Sequence, residues 1–149
     1  MVKALYADTS AVVGAYLADE KEHASLKDLL LSQQHIVLTS ELTRVEFASA
    51  MTAAARTGRI PEHTGLLYRF DQDSAPGNRF GLIPLAPHRT FPAARRLVTE
   101  NHPLRTLDAI HLAVALNEAA ALTGGGPVTM VTRDQRQADA AKANGLSVL

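Results

Sequence analysis

Cysteine and tryptophan are both absent from the 149 residues. Without cysteine there is no disulfide scaffold, no thiol nucleophile and no thiolate metal site. With no Trp and only 5% aromatic residues, a base-stacking platform of the single-strand-binding type is also excluded. Neither sign of charge is in excess: fifteen Lys and Arg balance fifteen Asp and Glu, a formal net charge of zero. A protein that coats nucleic acid is basic, so any polyanion handled here must meet a local patch or a bound cation. No run of about 18 apolar residues is available to span a membrane. Met1 to Leu5 leads straight into a strand-like segment, without the apolar core and cleavage site of a signal peptide. A soluble, cytoplasmic protein with no membrane contact is the expectation.

What is present describes an ordinary folded chain. Hydrophobic residues make up 46% and charged residues 20%, which excludes disorder. The length suits one domain, residues 1–149, burying roughly two-thirds of the surface of its unfolded chain. Short apolar runs alternate with helical patterns. Strands are predicted over Val2–Ala7, Ile36–Thr39, Phe80–Leu85 (with Pro84 pointing to an edge), Val128–Thr132 and Leu146–Leu149. Helices are predicted over Thr9–Leu17, Lys21–Gln34, Glu41–Thr57, Pro61–Asp71, Thr90–Asn101, Thr106–Leu122 and Asp134–Asn144. Thr9 and Ser10 are cap candidates for the first helix, Ser40 for the third, and Gly58 and Gly145 are stops. Asp73–Asn78 and Gly124–Pro127 read as breaks. Strands separated by helices require crossovers, hence an α/β fold with a parallel sheet covered on both faces. Ligands in such sheets sit beyond the carboxyl ends of the strands.

The most informative feature is where charge is missing. Asp8 is the only charged residue between Lys3 and Asp19, Glu46 between Arg44 and Arg56, and Asp108 between Arg105 and Glu118. A lone carboxylate in a segment built for burial is costly unless something compensates it. Asp8 follows the first strand. Glu46 lies about 9 Å along the helix that leaves the second, on a face shared with Leu42, Ser49, Ala50 and Ala53. Asp108 opens its helix, and a fourth acid, Asp134, follows the strand Val128–Thr132. All four can reach one sheet edge. Each also has a plain structural reading: Asp8 and Asp134 as helix caps, Asp108 as a first-turn acid, Glu46 with a private buried partner. Gathered in one cleft, the four raise one another's pKa and need a counter-charge. Oxygen-only ligands point to a hard divalent cation, Mg²⁺ or Mn²⁺, which binds phosphate oxygens and activates water.

The stretches LYADTSAVV, LTRVEFASAMTAAARTGRI, LRTLDAIHLAVAL and VTRDQRQADAAKANGLSVL, taken in order, resemble the motifs of PIN-domain proteins, and among them the VapC-type toxins of toxin–antitoxin pairs. The resemblance covers nearly the whole chain. It implies a PIN-like α/β/α sandwich with a parallel five-stranded sheet of order 3-2-1-4-5, and Mg²⁺- or Mn²⁺-dependent endoribonuclease activity. It further implies a homodimer and a VapB-type antitoxin as partner. Carried over by position, Asp8, Glu46 and Asp108 match the family's metal-binding acids, Asp134 the more variable fourth, and Thr132 a supporting hydroxyl.

For the RNA substrate, Arg95, Arg96 and Arg105 form a candidate phosphate-contacting set, in a stretch where Glu100 is the only acid. An exposed polar helix face is the alternative. His111 reads as a packed helix residue more readily than as a catalytic base. A haloacid-dehalogenase-type phosphatase requires an acid where Ser10 stands. A response-regulator receiver requires a Lys where Arg133 stands. A dinucleotide-binding fold requires a Gly-rich turn after the first strand, and none is there. A catalytically inert PIN-like module that binds RNA or protein is the remaining alternative, separated from the enzyme by metal-dependent cleavage.

Overall fold

A computed structural model describes residues 1–149. Its five strands are β1 (Ala4–Ala7), β2 (Ile36–Ser40), β3 (Phe80–Ile83), β4 (Val128–Val131) and β5 (Ser147–Val148). They form one sheet in the order β3-β2-β1-β4-β5, and every pair is parallel. The central strand β1 is in register with both neighbours, Tyr6 lying level with Leu38 and Met130. The parallel sheet expected from the alternating pattern is therefore present, in the strand order that the family resemblance implies.

Parallel pairing sends each connection back across the sheet, and the helices cover both faces. α1 (Thr9–Tyr16), α2 (His23–Leu31), α3 (Leu42–Arg56) and α4 (Thr64–Asp73) pack on one side. α5 (Pro87–Glu100), α6 (Thr106–Val114), α7 (Ala120–Leu122) and α8 (Gln135–Ala143) follow in the chain, and α5, α6 and α8 build the other side's core. Strand side chains alternate between the two. Leu5, Ala7, Val37, Phe80 and Val131 meet the first layer, while Tyr6, Leu38, Ile83, Val128 and Met130 meet the second. The first core is aromatic: Phe47 lies 4.8 Å from Phe70 and 5.2 Å from Tyr16, centroid to centroid. Burying each such ring contributes about 1.5–3 kcal/mol.

Several boundaries differ from the sequence expectation, each for a local reason. β1 starts at Ala4, because Val2 and Lys3 are exposed. α1 is capped by the Asp8 side chain rather than by Thr9 or Ser10. α2 covers only His23–Leu31, and Gln33 turns the chain into β2 with a left-handed φ of 63°. α3 ends as expected before Gly58, whose φ of +77° suits glycine. Pro61 lies outside α4, since Glu62 accepts hydrogen bonds from the backbone N–H groups of Thr64 and Gly65 and opens the helix there. α4 then continues through Asp73 into the expected loop. β3 stops at Ile83, before Pro84, on the sheet edge. α5 begins at Pro87, which is tolerated in a first turn. The expected single helix Thr106–Leu122 contains a π-helical turn at Ala115–Ala119. No helix is long and apolar enough to cross a membrane.

Candidate active site

Asp8 is the first residue beyond β1. Its backbone N–H still donates to Val131 O at 3.1 Å, prolonging the sheet ladder by one rung. Its side chain is buried and fully committed. Oδ1 accepts from Ser10 Oγ at 2.6 Å and from the Ala11 N–H at 3.1 Å; Oδ2 accepts from Thr132 Oγ1 at 2.5 Å. Burial raises the Asp8 pKa above its ordinary value, although His111, the two hydroxyls and the amide all pull the other way. Thr132 Oγ1 also accepts from the Asp134 N–H at 3.1 Å. One hydroxyl thus joins the end of β1 to the start of α8.

Glu46 reaches the same edge from α3. The buried stripe of that helix is Thr43, Phe47, Met51 and Ala54. The expected inward face is therefore offset: Ser49 is exposed, and Glu46 flanks the stripe half-buried. Its Oε1 accepts from Thr9 Oγ1 at 2.7 Å and from His111 Nε2 at 2.6 Å. Desolvation pushes this carboxyl up, but the His111 hydrogen bond and charge, Thr9 and Arg105 together bring it below the usual carboxylate value. Mutual repulsion among the acids was expected to raise it. The direction is reversed because hydrogen-bond donors, the His111 ring and the Thr9 hydroxyl, rather than other carboxylates, are its nearest neighbours.

Asp108 stands in the first turn of α6, and Asp134 is the N-cap of α8. Arg105 links them, with Nε 3.2 Å from Asp108 Oδ2 and an Nη 2.9 Å from Asp134 Oδ2. The other Asp134 oxygen accepts the N–H groups of Arg136 and Gln137 at 2.9 and 3.4 Å. Desolvation raises Asp134, and these two amides with Arg136 and Arg105 outweigh it, so its pKa lies below the ordinary value. The capping reading of Asp8 and Asp134 is thus present in the structure. Gln137, fully buried, donates from Nε2 to the Asp108 carbonyl at 2.9 Å and sets α8 against α6.

The four acids share the carboxyl edge of the sheet, with Thr132 among them. Of the three arginines, only Arg105 touches the acids. Arg95 and Arg96 lie exposed on α5, Arg96 at 3.9 Å from Glu100. The oxygen-only donor set fits a hard divalent ion in chemistry, and Oε2 of Glu46 takes no hydrogen bond from the chain. No three of these groups stand gathered as a ready-made ion site; Asp8 and Glu46 are held where they are, so shared coordination requires Asp108 and Asp134 to turn from Arg105 toward them. Sequence reasoning missed the Gln137 amide and Tyr6 altogether, and it read Thr9 and Ser10 only as cap candidates and His111 only as a packed helix residue. The available signal was the Asp-Thr-Ser run, where two hydroxyls follow a buried acid.

The chain matches the family model described as PIN domain over residues 5–143. It is similar to a protein named Ribonuclease VapC35 from Mycobacterium tuberculosis, in the strains CDC 1551 / Oshkosh and ATCC 25618 / H37Rv. Each is 32% identical over 149 residues, spanning 97% of this chain and 95% of the relative.

Proposed function

Because the chain belongs to the PIN-domain family, in its VapC-type branch, we propose that it is a metal-dependent endoribonuclease. It hydrolyses RNA phosphodiester bonds and acts as the toxin of a toxin–antitoxin pair. The observation that supports this most directly is the meeting of Asp8, Glu46, Asp108 and Asp134, from four separate parts of the chain, at one edge of the sheet. Three of them are the only charged residues of their segments, and a folding core gains nothing from collecting them.

In this reading the four acids hold Mg²⁺ or Mn²⁺. Bound there, such an ion supplies positive charge to a phosphodiester and lowers the pKa of a water. The chain's own groups prepare the place. Ser10, Ala11 and Thr132 fix Asp8 in one rotamer, and Thr9 and His111 fix Glu46. Arg105 orients Asp108 and Asp134 and, being mostly exposed, presents a guanidinium to an RNA phosphate. Arg95 and Arg96 extend the basic surface along α5. Residues 1–149 act as one domain, as a cytoplasmic homodimer paired with a VapB-type antitoxin.

The protein freed of any partner should cut single-stranded or loop RNA with Mg²⁺ or Mn²⁺, leaving 5′-phosphate and 3′-hydroxyl ends. EDTA should abolish cutting, and Asp108→Asn should remain folded and inactive. Cleavage that continues in EDTA, or ends carrying 2′,3′-cyclic phosphate, refutes the metal mechanism. RNA binding with no cleavage under any divalent ion returns the chain to the inert binding module.

A further inference from the structure

His111 is 2% exposed and lies one turn beyond Asp108 on α6, yet its ring faces a carboxylate from the opposite layer. Nε2 is 2.6 Å from Glu46 Oε1, with Thr9 Oγ1 at 3.2 Å. Nδ1 is 2.8 Å from the hydroxyl of Tyr6, a fully buried residue of the central strand. The two rings meet edge to face, 6.0 Å apart at 64°.

A carboxylate only accepts, so Nε2 carries a hydrogen, while the Tyr6 hydroxyl can give or take one at Nδ1. Both ring nitrogens are therefore engaged in either protonation state. Flipping the ring would put carbon against both partners and leave buried polar groups unpaired. This removes His111 as a general base: neither nitrogen is free, and the ring is shut away from water. It also explains the one-sided bonding of Glu46, in which Oε1 takes both hydrogen bonds and Oε2 takes none.

We infer that His111 is a positioning residue, locked by Tyr6, that holds the Glu46 carboxylate by Oε1 and leaves Oε2 free to take an ion. The inference rests on the metal-dependent reading above. Partners that orient a ligating carboxylate carry about 10–100-fold in metal affinity or activity, and this one spans the two layers.

The test is Mn²⁺ binding to the full chain by titration calorimetry without RNA, with thermal melts and steady-state RNA cleavage alongside. His111→Asn keeps an amide near Nδ1 but cannot reach Glu46. It should weaken Mn²⁺ binding about 10-fold or more and lower kcat at limiting Mn²⁺, with the KM for RNA unchanged. His111→Gln carries its amide out to the position of Nε2 and should restore most of the affinity. Tyr6→Phe should weaken Mn²⁺ in the same direction but less. If His111→Asn does not fold, the contrast between His111→Gln and Tyr6→Phe carries the decision. Equal losses in the Asn and Gln variants overturn the inference, as do unchanged Mn²⁺ affinity in folded His111→Asn or losses that follow the melted fraction. Wild type that binds no Mn²⁺ overturns the metal-dependent reading and this inference together; wild-type binding with no response in the variants overturns the inference alone.

Discussion

Replacing Thr132 by Val keeps the shape of the side chain and deletes one hydroxyl that makes two important contacts. It donates to the buried Asp8 carboxylate at 2.5 Å and accepts from the Asp134 N–H at 3.1 Å. The first bond, to a charged group, is worth about 1.5–3 kcal/mol, and the second about 1 kcal/mol. Burying a methyl in their place returns roughly 0.8 kcal/mol. The net loss should be about 2–3 kcal/mol, which lowers a urea midpoint by about 1 M for a chain of this size. The loss should also depend on pH. Asp8 already has a pKa raised above its ordinary value, and the Thr132 hydroxyl is one of the groups that pull it back. Without that hydroxyl the folded-state pKa rises further. An acid raised on folding contributes stability at low pH and loses it as pH rises through the folded pKa. The deficit of Thr132→Val should therefore be smaller near pH 4 than at pH 8. Urea unfolding in EDTA at the two pH values measures this directly. A loss below about 0.5 kcal/mol, or a deficit that shrinks as pH rises, would refute the role given to the hydroxyl.

Two further substitutions probe the scaffold. A Cβ added at Gly14 would run into Leu26 Cδ1, a side chain only 2% exposed. Gly14→Ala should therefore destabilise wild type by overpacking, roughly 1–3 kcal/mol less about 1 kcal/mol of helix propensity. In a Leu26→Ala background the clash is gone and the same change should stabilise; a double-mutant cycle by urea unfolding reads the sign. Tyr16→Phe removes the bond from its hydroxyl to Asp73 Oδ2 at 2.5 Å but keeps the ring against Phe47 and Phe70. A loss of about 1–2 kcal/mol is expected, and no loss would show that Asp73 is served by Arg79 alone.

The parts of this molecule that sequence made legible are those dictated by burial. The five β-strands and their parallel pairing follow from alternating apolar runs, and the cost of solitary charge singles out Asp8, Glu46 and Asp108, with Asp134 added by its place after β4. Their order, β3-β2-β1-β4-β5, came from likeness to a family and not from periodicity. Helix ends were less legible, because they are decided by single side-chain contacts. Glu62 opens α4 after Pro61, and the Asp8 carboxylate displaces Thr9 and Ser10 as cap. The electrostatics of the site were misread for a related reason. Treating the acids as one another's neighbours raises every pKa, whereas His111 and Arg105 lower Glu46. Both residues come from α6 or its threshold, far from Glu46 in sequence, and no local pattern announces the meeting.

Asp8 and Asp134 each use one oxygen to hold a helix N-terminus and present the other toward the shared edge. Glu46 and Asp108 cap nothing. Loss of charge and loss of fold are therefore different mutational events at the first two positions. Asparagine keeps a cap-competent oxygen there while removing the negative charge; alanine removes both, at a cost of about 1 kcal/mol per cap. On the proposed function, the Asn substitutions at 8 and 134 would take charge from the site while leaving the folded surface in place. Alanine at the same positions adds the lost caps to the lost charge and so also weakens the fold that carries that surface. Asn and Ala each lie one base change from an Asp codon, so the two outcomes are equally near in sequence and differ only in what they leave folded.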